Sequence, residues 1–83
     1  MVDERRLRRI MTPRQLQVLR LLAQGATNNS IAEELGISSN SVVNHLSAVY
    51  GALDIPDNCN SRVMATLDYL TATGQLSALT RTN

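Results

Sequence analysis

Eighty-three residues with 43% hydrophobic content make one small domain, and a chain of this size buries only about 60% of the surface it exposes when unfolded, so a partner copy is expected to add to its stability. Two tyrosines are its only aromatic residues, which leaves little to stack on unpaired bases and argues against single-strand or RNA recognition. The net charge of +1 is weak for a protein that binds a polyanion, yet all eight basic residues are arginines and six of them fall within the first twenty positions.

Residues 1–10 therefore read as a basic arm or linker carrying Arg5, Arg6, Arg8 and Arg9, with a solvated lead-in helix and a phosphate-contacting arm both open as readings. A helix is predicted over residues 12–24. Thr12 is its cap, Pro13 suits the first helical position, and Gln15 completes a Thr-x-x-Gln capping box in which side chain and backbone satisfy each other's free groups. Met11 and Leu16 have the spacing of a hydrophobic staple. Leu16, Leu19, Leu22 and Ala23 supply a core stripe, and Gly25 ends the helix.

Thr27 to Leu53 read as two short helices joined by a tight turn. Thr27 caps the first of them, with Asn28, Asn29 and Ser30 in its opening turn, where free backbone N–H groups attract phosphate oxygens. Its apolar spacing (Ile31, Ala32, Leu35) stops at Gly36, one residue past the last apolar position, where a left-handed backbone is needed. Ser38 caps the next helix, and Ile37 and Val42 have the spacing of a staple that fixes the angle between the two. This is a helix-turn-helix pattern. Placed 100° apart, Val42, Leu46, Val49 and Leu53 share a core stripe, while Asn40, Val43, Asn44, Ser47 and Gly51 share the opposite face. That face is small, polar and uncharged. A merely solvated surface normally carries Lys, Glu or Arg, whereas His45 is the only side chain between Ser38 and Leu53 that can carry a charge near neutral pH. The outward face is thus expected to enter a DNA major groove, with Asn40, Val43, Asn44 and Ser47 reaching base edges. Around it, Thr27, Asn28, Asn29, Ser41, His45 and Arg14 are the expected phosphate contacts.

A polar loop follows over residues 54–60, and a further helix is predicted from about Ser61 to Thr73, ended by Gly74. Val63, Leu67 and Leu70 are expected to pack on the preceding helices. Ala65, Tyr69 and Ala72 fall on another side and are expected to form a dimer interface, the alternative being apolar residues tolerated singly on a surface. Residues 76–83 are expected to fray.

The stretch MTPRQLQVLRLLAQGATNNSIAEELGISSNSVVNHLSAVYGAL resembles the LuxR/FixJ/GerE-type helix-turn-helix of bacterial transcription regulators, with the resemblance covering about residues 11–65. The matching positions, in register and without gaps, are Thr12-Pro13-Arg14, Val18-Leu19, Gly25, Asn28, Ile31-Ala32, Leu35-Gly36-Ile37-Ser38, Val42, Asn44-His45-Leu46 and Leu53. The resemblance implies an all-α, four-helix helix-turn-helix domain over residues 11–75, with the third helix reading DNA and the fourth joining two copies. It also implies a cytoplasmic, nucleoid-associated response-regulator effector domain that binds a palindromic operator, with RNA polymerase as a further partner. Asn29, Val43 and Ala52 depart from the pattern, since each stands where the family commonly has lysine. Gln15 and Gln17 likewise stand where it usually has glutamate, keeping the capping bond and giving up a charge that favours the helix start. A complete single-domain protein and a domain of a longer, receiver-bearing regulator both fit.

Catalysis and metal binding are not expected. His45 has no second histidine, cysteine or carboxylate at ligand spacing, and Cys59, the single cysteine, has no base at helical spacing and no partner for an internal disulfide. With no apolar run near 18 residues and no signal-peptide pattern, a soluble protein without membrane contact or cofactor is expected. Two function classes stay open: a sequence-specific regulator binding duplex DNA as a dimer, and a degenerate helix-turn-helix serving as a protein-interaction or dimerisation module with weak DNA binding.

Overall fold

The computed structural model describes residues 3–56 and 60–74, which hold five helices and no strand among the described residues. These are α1 (Glu4–Ile10), α2 (Pro13–Ala23), α3 (Asn28–Leu35), α4 (Ser39–Ala52) and α5 (Ser61–Ala72). The all-helical expectation holds, with one helix more than the four expected. Cys59 and the tail over residues 76–83 lie outside the described residues.

The extra helix is the arginine arm. Asp3 caps α1 by accepting from the Arg6 N–H at 2.8 Å, and Glu4 pairs with Arg8 at 3.3 Å across one turn. Leu7 is only 1% exposed and Met11 5%, so α1 is pinned by its apolar side to α2 and α5 and carries its arginines on a docked element. An i, i+4 apolar pair hidden among four arginines is a weak amphipathic signal, which is why the sequence left linker and helix undivided.

Each of the caps read from the sequence is made. In the capping box of α2 the Gln15 N–H donates to Thr12 Oγ1 at 3.1 Å, and the Thr12 N–H donates back to Gln15 Oε1 at 3.0 Å. The Ser30 N–H donates to Thr27 Oγ1 and the Ser41 N–H to Ser38 Oγ, each at 3.1 Å. Gly36 adopts φ 67°, ψ 36°, and a Cβ there would meet nothing within 4 Å, so the glycine answers to backbone conformation rather than to space.

α2 lies at the centre, with α4 and α5 packed on it and α3 closing against α4. Val18 and Leu19 are fully buried beside Ile31, Val42 and Val49, and the expected stripe of α4 faces inward, with Leu46 and Leu53 completing it. Because α2 is covered on more than one side, Val18 joins the buried set although it lies off the single stripe read from the sequence.

The orientation of α5 reverses the expectation. Ala65 is fully buried and Ser61 nearly so, while Val63 is 58% and Leu67 46% exposed, and Leu70 is half-buried. The stripe expected inside thus faces largely outward. Of the expected dimer surface, Ala65 is enclosed by its own chain, while Tyr69 and Ala72 are half-buried against the core. Side-chain volume explains the reversal. α5 packs chiefly on α2, and small residues at the inner face let the two backbones approach, whereas Val63 and Leu67 there would hold them apart. The Ser61 hydroxyl donates to the Pro56 carbonyl, which seats the start of α5 on the loop that Ile55 anchors in the core.

Candidate nucleic-acid interface

The outward face of α4 is open along its length. Asn40, Asn44 and Ser47 are exposed and Val43 is 47% exposed, directly behind the buried Val42, Leu46 and Val49. A rigid core stripe thereby presents two carboxamides, a hydroxyl and one branched methyl pair, which together can donate, accept and cover a methyl group. No charge is present to favour phosphate over base.

The helix starts sit beside this face and are tied to each other. Ser39 Oγ donates to Asn29 Oδ1 at 2.9 Å, joining the first turn of α4 to the first turn of α3. Thr27 Oγ1 donates to Ser30 Oγ and Ser38 Oγ to Ser41 Oγ, both at 3.0 Å, so each capping hydroxyl is held in place. Of the expected phosphate contacts, Asn29 is exposed, Asn28, Ser41 and His45 are half-buried, and Thr27 is exposed at the cap. His45 lies at the border of the core stripe, as its position on the wheel indicates. Arg14 is exposed at the start of α2 and reaches Gln17 Oε1 at 3.4 Å.

Sequence reasoning missed Arg62. From the first turn of α5 its guanidinium donates through Nη2 to the Ala26 carbonyl at 2.6 Å and through Nη1 to Asn28 Oδ1 at 2.9 Å. The available signal was local: no acidic residue stands three or four positions from Arg62, so its partners had to come from elsewhere in the fold.

Charge is divided unevenly. Residues 27–53, which contain α3 and α4, hold Glu33 and Glu34 and not one lysine or arginine, whereas residues 3–20 hold six arginines against Asp3 and Glu4. Arg5, Arg6 and Arg9 are exposed and form no ion pair among the described residues, and with Asp3 they line a shallow open surface. α1 itself meets the far end of α5 from the α3 start, since Glu4, Leu7 and Arg8 share a groove with Tyr69 and Thr73 while Arg62 reaches Asn28. At 1.5 Å per residue that is roughly 16 Å along the helix. Among the described residues no cluster of His, Cys, Asp or Glu is suited to a metal ion, and no helix is long and apolar enough to cross a membrane.

Residues 9–65 match the model of the family described as "Bacterial regulatory proteins, luxR family". The chain is 37% identical over 60 residues to the transcriptional regulatory protein LiaR of Bacillus subtilis (strain 168), an alignment that takes in 72% of this chain. It spans only 28% of that relative's length. No solved structure matches the chain.

Proposed function

The chain belongs to the LuxR family of bacterial regulatory proteins, and from that premise we propose that it binds duplex DNA sequence-specifically and regulates transcription, with α4 as the helix that enters the major groove. The observation that carries this reading is the exposed, uncharged face of Asn40, Val43, Asn44 and Ser47, backed by a fully packed core stripe. Asn44 pairs with an adenine through its carboxamide, Val43 covers a thymine methyl, and Asn40 and Ser47 reach neighbouring edges. Thr27, Asn28, Asn29, Ser41, His45 and Arg14 hold phosphates and fix the register.

One helix in one groove reads too few bases for useful specificity, so two copies are proposed to read half-sites about one helical turn, roughly 34 Å, apart. The surface that supports this pairing is the outward side of α5, where Val63, Met64 and Leu67 are 58%, 42% and 46% exposed. It lies beside the face of Ala65, Tyr69 and Ala72, of which Ala65 is buried within the chain. RNA polymerase is a further partner proposed on family grounds alone.

The competing reading, a degenerate module that binds protein, draws on the missing cations of residues 27–53. Selecting bound fragments from random duplexes and repeating mobility shifts at low and at roughly 150 mM salt separates the two. A recovered A·T-rich motif supports DNA reading. Loss of binding to every fragment at the higher salt supports the protein-binding module.

A further inference from the structure

Building on the phosphate role given to Asn28, we propose that Arg62 is a positioning residue for DNA binding: it orients the Asn28 carboxamide so that the amide nitrogen, not the oxygen, faces the phosphate. A guanidinium has donors and no acceptor, so the Asn28 atom 2.9 Å from Arg62 Nη1 has to be the oxygen. With that oxygen occupied, the Nδ2 group is left as the free end of the side chain. Only the nitrogen of a carboxamide can donate to a phosphate, and a side chain free to turn has to be fixed in that orientation when it binds. The second prong of the fork, Nη2 on the Ala26 carbonyl at 2.6 Å, fixes the guanidinium plane and with it the direction of the first.

Both partners of Arg62 are neutral, and no carboxylate pairs with it among the described residues. Its charge therefore stays beside the α3 start while its hydrogen bonds hold the local geometry. One residue on, the Ser39 hydroxyl donates to Asn29 Oδ1. Asn28 and Asn29 both stand at the start of α3, in a stretch, residues 27–53, that holds no lysine or arginine. Arg62 also lies one position before the exposed Val63, so the side chain that orients Asn28 sits on the helix offered to a second copy.

The test uses Arg62→Lys, which keeps the charge and gives up the two-pronged geometry, Asn28→Ala, and the double variant. Binding is measured to a mixed-sequence duplex of roughly 20 base pairs, since a phosphate contact needs no operator. Each single variant is expected to bind about 3- to 10-fold more weakly, with an unchanged salt slope for Arg62→Lys, and the double variant no more weakly than Asn28→Ala alone. In the NMR spectrum, the Asn28 side-chain amide pair should shift on saturation with duplex in the unmodified chain and shift much less on saturation in Arg62→Lys. If Arg62 only capped the Ala26 turn, Arg62→Lys would lower the melting temperature while the folded protein bound normally, and the proposal would fall. Multiplied losses in the double variant would also overturn it, by showing that Arg62 acts apart from Asn28. Wild-type binding by Asn28→Ala, with Asn44→Ala impaired, would remove the phosphate role of Asn28 and the proposal together, leaving the reading by α4 intact.

Discussion

The reading unit and the arginine-bearing helices divide what a DNA-binding surface ordinarily combines. Residues 27–53 present hydrogen-bonding side chains, two exposed glutamates and no cation, while residues 3–20 present six arginines and two acids on α1 and α2. A neutral reading face loses little affinity to salt and gains discrimination from paired donors and acceptors, whereas an arginine cluster gains affinity for any phosphate backbone and reads nothing. On the proposed reading, specificity belongs to α4 and general attraction for phosphate to α1.

That division can be broken at its structural base. Leu7 anchors α1 with 1% exposure, so Leu7→Ala is expected to cost about 2–5 kcal/mol of stability, read by thermal or denaturant unfolding. The same burial makes removal of residues 1–10 a poor test of the arginines, because it opens the core. Replacing Arg5, Arg6 and Arg9 with glutamine keeps α1 seated. If these side chains lie against phosphates, that variant binds all sequences more weakly and its log-log salt slope is shallower by up to roughly 0.9 for each arginine in contact. An unchanged slope would take α1 away from DNA and assign its charge to another partner.

A smaller effect belongs to α5. Leu67→Glu places like charges on the outward face of both copies, and the expected outcome is normal folding by circular dichroism, weak binding to one half-site and loss of cooperative binding to two. Retained cooperativity would move the contact off this face. The smallest effect concerns Asp68, whose carboxyl is pushed above its ordinary value by burial. Since the folded chain holds this proton more tightly than the unfolded one, the stability it supports is present at acid pH and is lost as pH rises from the unfolded value of 3.8 through the folded one. Asp68→Asn should then be slightly more stable than the parent at neutral pH, with the gap closing on acidification. A gap that widens in acid would contradict the sign.

What could be read ahead of the structure was local. The caps at Thr12, Thr27 and Ser38 and the glycine at Gly36 each depend on residues within a turn of one another, and all take the conformations expected. The two faces of α4 were equally legible, because Val42, Leu46 and Val49 form an unbroken apolar stripe with only polar or small residues opposite, apart from Val43. α5 offered two helical stripes of comparable apolar content. The stripe of Val63, Leu67 and Leu70 was the one expected inside, while the closeness of α2, which periodicity cannot report, put Ala65 there. Arg62 escaped for a similar reason: Ala26 and Asn28 lie more than thirty positions from it, joined only by the fold.

The most direct test of the division between reading and attraction is the specificity ratio, the affinity for the best selected site over that for a random duplex at roughly 150 mM salt. Asn44→Ala is expected to lose about 1–3 kcal/mol on the best site and far less on random DNA, collapsing the ratio, while the Arg5, Arg6, Arg9 variant weakens both alike and leaves it unchanged. Equal loss on both duplexes for Asn44→Ala, or a ratio that falls with the arginines, would contradict the account.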